Sequence, residues 1–160
     1  SRMSDGRSPR GPLYDILRDS LGLAQDLALR ARVYGDGQGG RTDVARFALK
    51  VHEAARQGDA QAVAIYAAAA RELAEIVVAT RHALRVPAQR SLDVSYSGGV
   101  FGSRTLVLEP FAAALAASGL AFRLATPRFA PVIGAALFAA RCHGTPLDAA
   151  ALAVLDGELA

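Results

Sequence analysis

Residues 92–101, which read Leu-Asp-Val-Ser-Tyr-Ser-Gly-Gly-Val-Phe, constrain the fold of this chain more than any other segment. The pattern predicts a buried strand that runs into Gly98 and Gly99 and then, past Ser103, into a helix beginning near Thr105. Neither glycine carries a Cβ, so a flat ligand or a phosphate can approach the backbone closely there. Such turns occur at nucleotide sites, but they also serve purely structural roles. Both interpretations are therefore open at this point.

Most of the first half of the chain has helical patterning. A first helix is predicted to begin at Pro12, and a second to span residues 24–34. A third is predicted to begin after an N-cap at Thr42 or Asp43, and a fourth to span residues 60–84 with Asp59 as its N-cap. A glycine-rich loop over residues 35–40 separates the second helix from the third, and Gly58 ends the third.

The second half mixes short strands with helices. After the glycine pair we predict a helix over residues 105–117 and a strand over residues 120–124. A loop containing Thr126, Pro127 and Arg128 follows. A helix of small residues is predicted from Pro131, and a last helix over residues 145–155. Asp148 is expected in the first turn of that last helix, where a carboxylate is favourable. No internal repeat is visible.

Length and composition fit one ordered globular domain. The chain has 160 residues, of which 52% are hydrophobic, and its mean hydropathy is +0.22. Its net charge is only +3. The arginines are scattered from Arg2 to Arg141 instead of forming a basic stripe, and the chain has no Trp. This pattern argues against nucleic-acid binding.

Cysteine usage and hydropathy indicate the compartment. Cys142, the one cysteine, excludes an internal disulfide and a metal site built only from cysteines of this chain, and it is expected to be an inert thiol. No apolar run approaches the roughly 18 residues of a membrane span, and the polar residues 1–10 lack the apolar run of a signal peptide. The sequence therefore predicts a cytoplasmic protein without a membrane partner.

The histidines and the helical glutamates show no catalytic pattern. The histidines lie on separate predicted elements without ligand spacing: His52, His82 and His143. The glutamates lie on the polar faces of helices: Glu53, Glu72 and Glu75. We therefore expect no metal site and no catalytic residue among them, because carboxylates on such faces usually face solvent.

The order of these motifs resembles one known family. A Gly-Asp turn at residues 58–59 precedes the long alanine-rich helix, and the next strand ends in Ser-Gly-Gly-Val-Phe at residues 97–101. Pro-Phe follows at 110–111, Pro-Val-Ile-Gly-Ala-Ala follows at 131–136, and an Asp-Gly-Arg triplet at 5–7 precedes all the helices. In this order the motifs resemble the C-terminal part of the BadF/BadG/BcrA/BcrD-type ATPases, which include the N-acetylglucosamine kinases. The likeness covers nearly the whole chain.

The resemblance implies a fold and a site. The family belongs to the superfamily of actin-like ATPases, sugar kinases and heat-shock ATPases, in which two ribonuclease-H-like lobes close over ATP and Mg²⁺. This chain would then be a helix-rich α/β C-terminal lobe without its N-terminal lobe. Gly98 and Gly99 would pass beside adenine and ribose, with Ser103 close enough to hydrogen-bond. Ala45 would line the facing wall, and the helix of Gly134 would pack behind the site.

The resemblance also implies what these residues lack. The family's Asp-Gly-Gly-Gly-Thr phosphate loop, its second glycine-rich phosphate strand and the Asp that serves as general base are not among the 160 residues. Phosphoryl transfer needs positioned Mg²⁺, a phosphate cradle and an aligned acceptor. We therefore expect the chain alone to be inactive, and Mg²⁺ to bind only when a complementing N-terminal chain completes the site. The unpaired edge of so small a sheet would favour homodimers.

Domain boundaries and the branch of the family complete the prediction. Residues 1–11 are interpreted as a polar leader, in part a tag remnant, and residues 12–160 as a single ATPase lobe.

Dehydratase activators of this family hold an iron–sulfur cluster with paired cysteines, which Cys142 alone cannot supply. The turn at residues 58–59 resembles the sugar-kinase branch more. We therefore expect the adenosine-side lobe of an N-acetylglucosamine- or glucosamine-type kinase, which meets its amino sugar only in the complete enzyme.

Two alternatives remain open at this level. One is a helix-rich interaction or assembly module that has kept the fold without the chemistry. The other is a fragment of an activator-type ATPase.

Overall fold

The computed structural model describes Met3, residues 5–25, Ala28 and residues 41–159. The regular elements in these residues are α1 (Pro12–Leu21), α2 (Arg41–Arg56), α3 (Ala60–Ala83), β1 (Leu92–Ser95), α4 (Glu109–Ala117), β2 (Phe122–Ala125), α5 (Pro131–Cys142) and α6 (Ala149–Leu159). A 3₁₀ helix at Gly99–Gly102 and a π-helical turn at Arg104–Leu108 join β1 to α4. The prediction of a helix-rich α/β protein with a small sheet is confirmed.

The chain forms two compact units. The first comprises Ser1–Leu73 and Thr105–Phe111, and the second comprises Ala74–Arg104 and Ala112–Ala160. In the first unit α1 packs against α2. The buried side chains of this core are small, apart from one leucine: Leu13, Ala54, Ala55 and Ala62. Alanines at these positions let the helix backbones approach closely, so the core is packed by close backbones more than by large side chains.

Asp59 connects α1 to α3 inside the first unit. Its Oδ1 accepts a hydrogen bond from the backbone N–H of Ala62 at 2.9 Å, which is the predicted N-cap. Its Oδ2 accepts a second bond from the N–H of Leu13, also at 2.9 Å. Gly11 lies against the same carboxylate, since a Cβ there would stand 2.6 Å from Oδ2. The predicted cap is confirmed, and the same carboxylate also ties α1 to the start of α3.

The sheet lies in the second unit and consists of β1 and β2 in parallel. Asp93 lies directly opposite Arg123 in the register. The Arg123 guanidinium donates two hydrogen bonds to the Asp93 carboxylate, at 2.6 and 2.5 Å. These bonds hold the pKa of Asp93 below its usual value. The ion pair therefore marks the register on the exposed face of the sheet.

Arg81, near the end of α3, holds the amino ends of both strands. Its side chain is only 1% exposed, although arginine is among the residues least often buried. The guanidinium donates hydrogen bonds of 2.5–3.0 Å to backbone carbonyls just before the strands, those of Pro87, Ala88, Arg90 and Ala121. It also lies 5.0 Å from the centre of the Phe122 ring. The strands therefore start from one shared anchor, which fixes where their carboxyl ends lie.

The sequence predicted the starts of α1, α3 and α5. α1 begins at Pro12, α3 spans Ala60–Ala83, and α5 begins at Pro131. The helix predicted over residues 24–34 and the loop predicted over residues 35–40 lie almost wholly outside the described residues. Of that segment, Ala24 and Gln25 form a bend, and Ala28 is helical with its N–H donating to the Gln25 carbonyl at 3.1 Å.

Several predicted boundaries were wrong. The third helix was expected to follow Thr42 or Asp43, but α2 begins at Arg41 and already includes both residues. The first strand ends at Ser95, before the glycine pair, because its partner strand ends opposite at Ala125. Pro127 then follows in the partner segment and has no N–H with which to continue a ladder.

Two helices begin later than predicted. The α-helix expected near Thr105 begins at Glu109 after the π-helical turn, because Pro110 cannot donate the usual backbone hydrogen bond to the preceding turn. The last helix begins at Ala149, since Pro146 keeps the residue before it out of helical geometry. Asp148 caps that helix through Ala151 N–H at 2.8 Å, so it does not lie in the first turn.

Candidate functional site

An open cleft of about 630 Å³ lies at the carboxyl ends of β1 and β2, within the second unit. Both strands run in the same direction, so the segments that follow them emerge at the same edge of the sheet. The lining comes from the β1 exit, the β2 exit and the start of α5: Ser95, Tyr96, Ser97, Gly98, Phe101, Gly102, Thr126, Pro127, Arg128, Phe129, Ala130, Pro131 and Gly134. Ligand sites of open α/β sheets characteristically occupy this position.

Gly98 gives the cleft a bare stretch of backbone. Its φ of 106° and ψ of 157° belong to a region that is essentially restricted to glycine. The Phe101 N–H donates to the Gly98 carbonyl at 3.2 Å, which closes the turn into the 3₁₀ helix. A Cβ at Gly98 or Gly99 would meet nothing within 4 Å. The space beside both glycines is therefore open to a ligand.

Aromatic rings and hydroxyls give the cleft a mixed chemistry. Tyr96 and Phe101 stand with ring centroids 5.1 Å apart at an interplanar angle of 39°. Both rings line the cleft, together with hydroxyl groups from the two strand exits: Ser95, Ser97 and Thr126. Flat apolar surfaces with a few polar groups suit a small planar ligand that also carries hydroxyls.

Arg128 is the charged residue of this lining. Its Nε donates to Asp156 Oδ2 at 2.8 Å, and its Nη2 donates to the Leu152 carbonyl at 3.2 Å, so that it connects the β2 exit to α6. The guanidinium also lies 5.0 Å from the centre of the Phe129 ring. None of the described lining residues is acidic, so the cleft favours neutral or anionic ligands.

No group of three or more metal-binding side chains occurs among the described residues. His52 lies beside Tyr66, with its Nδ1 at 3.4 Å from the tyrosine hydroxyl. Burial raises the pKa of Tyr66. The carboxylates that the sequence placed on polar helix faces are exposed, as predicted: Glu53, Glu72 and Glu75. Within the same part of the chain, no helix combines the length and apolarity needed to cross a bilayer.

The predicted site residues fall in different places. Gly98 lines the cleft, Gly99 opens the adjacent 3₁₀ helix, and Ser103 caps the end of that helix. The Gly134 helix supplies lining residues, including Gly134 itself. Ala45 lies exposed in α2 of the first unit, so its role on a facing wall stays a prediction.

The segment of residues 126–131 is the part of the site that sequence reasoning missed. The sequence indicates only a loop that leads to a helix there. The signal that would identify the segment is the parallel pairing, because the residues that follow a second parallel strand must lie beside those that follow the first. Arg128 follows β2 as closely as Gly98 follows β1.

An open cleft at the carboxyl edge of a parallel strand pair is the position at which α/β proteins commonly bind nucleotides and other small molecules. The family model described as the BadF/BadG/BcrA/BcrD ATPase family matches residues 1–139 of the 160-residue chain, and the chain belongs to that family. Comparison with individual curated proteins gives no match. The family has the actin-like ATPase fold, and membership implies nucleotide binding and the use of ATP with Mg²⁺ in general.

The lining of the cleft suits the nucleoside part of ATP better than it suits Mg²⁺. Its bare backbone, aromatic rings and hydroxyls are compatible with a nucleoside. Mg²⁺ prefers carboxylate and phosphate oxygens. The described lining residues carry no carboxylate, so they do not fit a metal ion.

Proposed function

We propose that this chain is the adenosine-side lobe of an ATP-dependent kinase of the N-acetylglucosamine or glucosamine type. In this proposal it binds nucleotide and does not transfer phosphate by itself. The supporting observation is the cleft beside Gly98 at the carboxyl edge of a parallel strand pair, in a chain of an ATPase family. Residues 12–160 are taken as that lobe, and residues 1–11 as its leader.

The nucleoside is proposed to lie along the β1 exit. Tyr96 and Phe101 offer apolar ring surfaces to the purine, and the backbone at Gly98 and Gly99 approaches the ribose. Ser103 contributes a half-buried hydroxyl at the end of the same 3₁₀ helix. Tyr96, Gly98 and Phe101 line the cleft, and Gly99 and Ser103 belong to the 3₁₀ helix that follows and to its cap.

Phosphate transfer is proposed to require a complementing half. The described lining residues supply no carboxylate for Mg²⁺ or for deprotonating a sugar hydroxyl, and both are needed in this chemistry. The purified chain with ATP, Mg²⁺ and N-acetylglucosamine should therefore form no sugar phosphate above the background of a protein-free reaction. Robust turnover by the purified chain would overturn this part of the proposal. The choice of an amino sugar rests on the sugar-kinase likeness of residues 58–59.

A substitution at Gly99 tests the nucleoside site. Gly99→Val should weaken ATP and adenosine binding about tenfold or more, because a branched side chain would fill space otherwise open to the nucleoside. The measurement is a titration followed by ligand-observed NMR, which detects millimolar affinities.

Gly157→Val is the matched control for this titration. Gly157 also has nothing within 4 Å of its Cβ position, but it lies in α6, whereas Gly99 directly follows the lining residue Gly98. Equal binding by the wild type and both variants would count against the site. Loss of binding in both variants would indicate a general effect of the substitution and would also count against it.

An assembly module is the second candidate, favoured by one observation. Val132 and Phe138 on α5 are 72% and 68% exposed, which is high for large apolar side chains. Sedimentation analysis separates the candidates when read with the titration. A stable dimer that binds neither ATP nor adenosine would favour the module over the kinase lobe.

A further inference from the structure

Arg128 is a group in the cleft that nucleoside binding does not use. It is the charged member of a lining that otherwise consists of hydroxyl, aromatic and small side chains among the described residues. A neutral nucleoside gives a guanidinium no charged partner. A ligand that carried a negative charge next to the nucleoside would give it one.

The hydrogen bonds of Arg128 leave part of its donor set unused. A guanidinium carries five N–H donors in a planar fork. Among the described residues, Asp156 accepts from Nε and the Leu152 carbonyl accepts from Nη2. Neither bond involves Nη1. The bonds to α6 and the Phe129 ring restrict the orientation of the guanidinium, while Nη1 keeps both of its hydrogens for another acceptor.

Charge and exposure make this position suitable for an anion. The Arg128 side chain is 50% exposed, so it is accessible without unfolding of the loop. The described lining residues present no carboxylate that would repel an anion. Asp156 offsets part of the positive charge of Arg128 from α6. Arginine is favoured for phosphates because its planar fork matches their oxygen geometry.

We infer that Arg128 is the anion-recognising residue of this cleft and that its Nη1 donates to a phosphate of the bound nucleotide. The inference rests on the proposed function, because it presupposes the nucleoside site. It adds that the cleft distinguishes a nucleotide from a nucleoside.

The test compares AMP with adenosine on the full 160-residue chain by ligand-observed NMR titration. The wild type should bind AMP more tightly than adenosine. Arg128→Gln should weaken AMP binding about tenfold, because a charge-assisted hydrogen bond is lost, and should leave adenosine binding unchanged. Arg128→Lys should restore part of the AMP affinity, because the charge returns without the fork.

Asp156→Asn is the matched control, since it removes the same ion pair with α6 but keeps the cation. Its amide oxygen can still accept from Nε. This variant should bind AMP at least as tightly as the wild type. If Asp156→Asn weakens AMP as much as Arg128→Gln does, Arg128 acts only by holding α6, and the inference is overturned.

The remaining outcomes separate this inference from the proposed function. If Arg128→Gln weakens AMP and adenosine equally, or weakens neither, the anion contact is wrong while the nucleoside site stands. If the wild type binds neither AMP nor adenosine, the proposed function fails and the inference fails with it.

Discussion

At the residue scale, the two glycines after β1 differ in what the backbone requires of them. Gly98 has a φ of 106°, where other residues are strained, so the backbone itself requires it. Gly99 has no such backbone requirement, and a Cβ there would meet open space. In the proposed site, a bound nucleoside would occupy the open space beside Gly99.

Asp59 provides a residue-scale prediction about stability. Its side chain is buried, and its oxygens accept from the N–H groups of Ala62 and Leu13. Asp59→Ala would remove a helix cap and leave a buried N–H without its partner. We expect a loss of about 2–4 kcal/mol in the free energy of unfolding. Urea unfolding measures this quantity.

The matched variant for this measurement is Asp59→Asn. It keeps one acceptor oxygen, so it should lose less stability than Asp59→Ala. A loss within about 0.5 kcal/mol for the alanine variant would show that the two bonds are replaced without cost and would contradict the assigned role.

At the element scale, the ion pair between β1 and β2 predicts a pH dependence. The Arg123 guanidinium lowers the pKa of Asp93 in the folded chain. The pair therefore stabilises the fold above the ordinary carboxyl pKa of about 3.9, and this contribution is lost as the pH falls through the lowered value. The effect on stability should be small, because both side chains are more than half exposed.

An NMR titration of the Asp93 carboxyl tests the register directly. In the wild type its pKa should lie below the ordinary value, and in Arg123→Gln it should return toward it, because the partner is removed. An unchanged pKa in that variant would show that Arg123 is not opposite Asp93, and the strand register would then be wrong.

The elements also show which features of this fold are readable from sequence. Pro12, Asp59 and Pro131 mark helix starts through local chemistry, so those boundaries were predicted correctly. Strand ends depend on a partner that is distant in the chain, so β1 was predicted too long. Arg81 was missed for the same reason, because its role depends on loops that only the folded chain brings to it.

At the scale of the whole molecule, the family was identifiable because the order of motifs survives in the sequence. The match over residues 1–139 confirms it. The site was only half predictable. The β1 exit carries a visible glycine signal, whereas the β2 exit joins it through strand pairing and carries no comparable motif. The cleft is therefore a product of both strands, although the sequence pointed to one.

The central claim is that the cleft at the carboxyl edge of β1 and β2 binds the nucleoside of ATP. The most direct measurement is a map of amide shifts in the ¹⁵N-labelled chain titrated with ATP to about 10 mM, enough to occupy a site of millimolar affinity. We expect saturable shifts at the amides of Gly98, Gly102 and Gly134 and none in α1. No saturable shift at those amides, or saturable shifts confined to other residues, would contradict it.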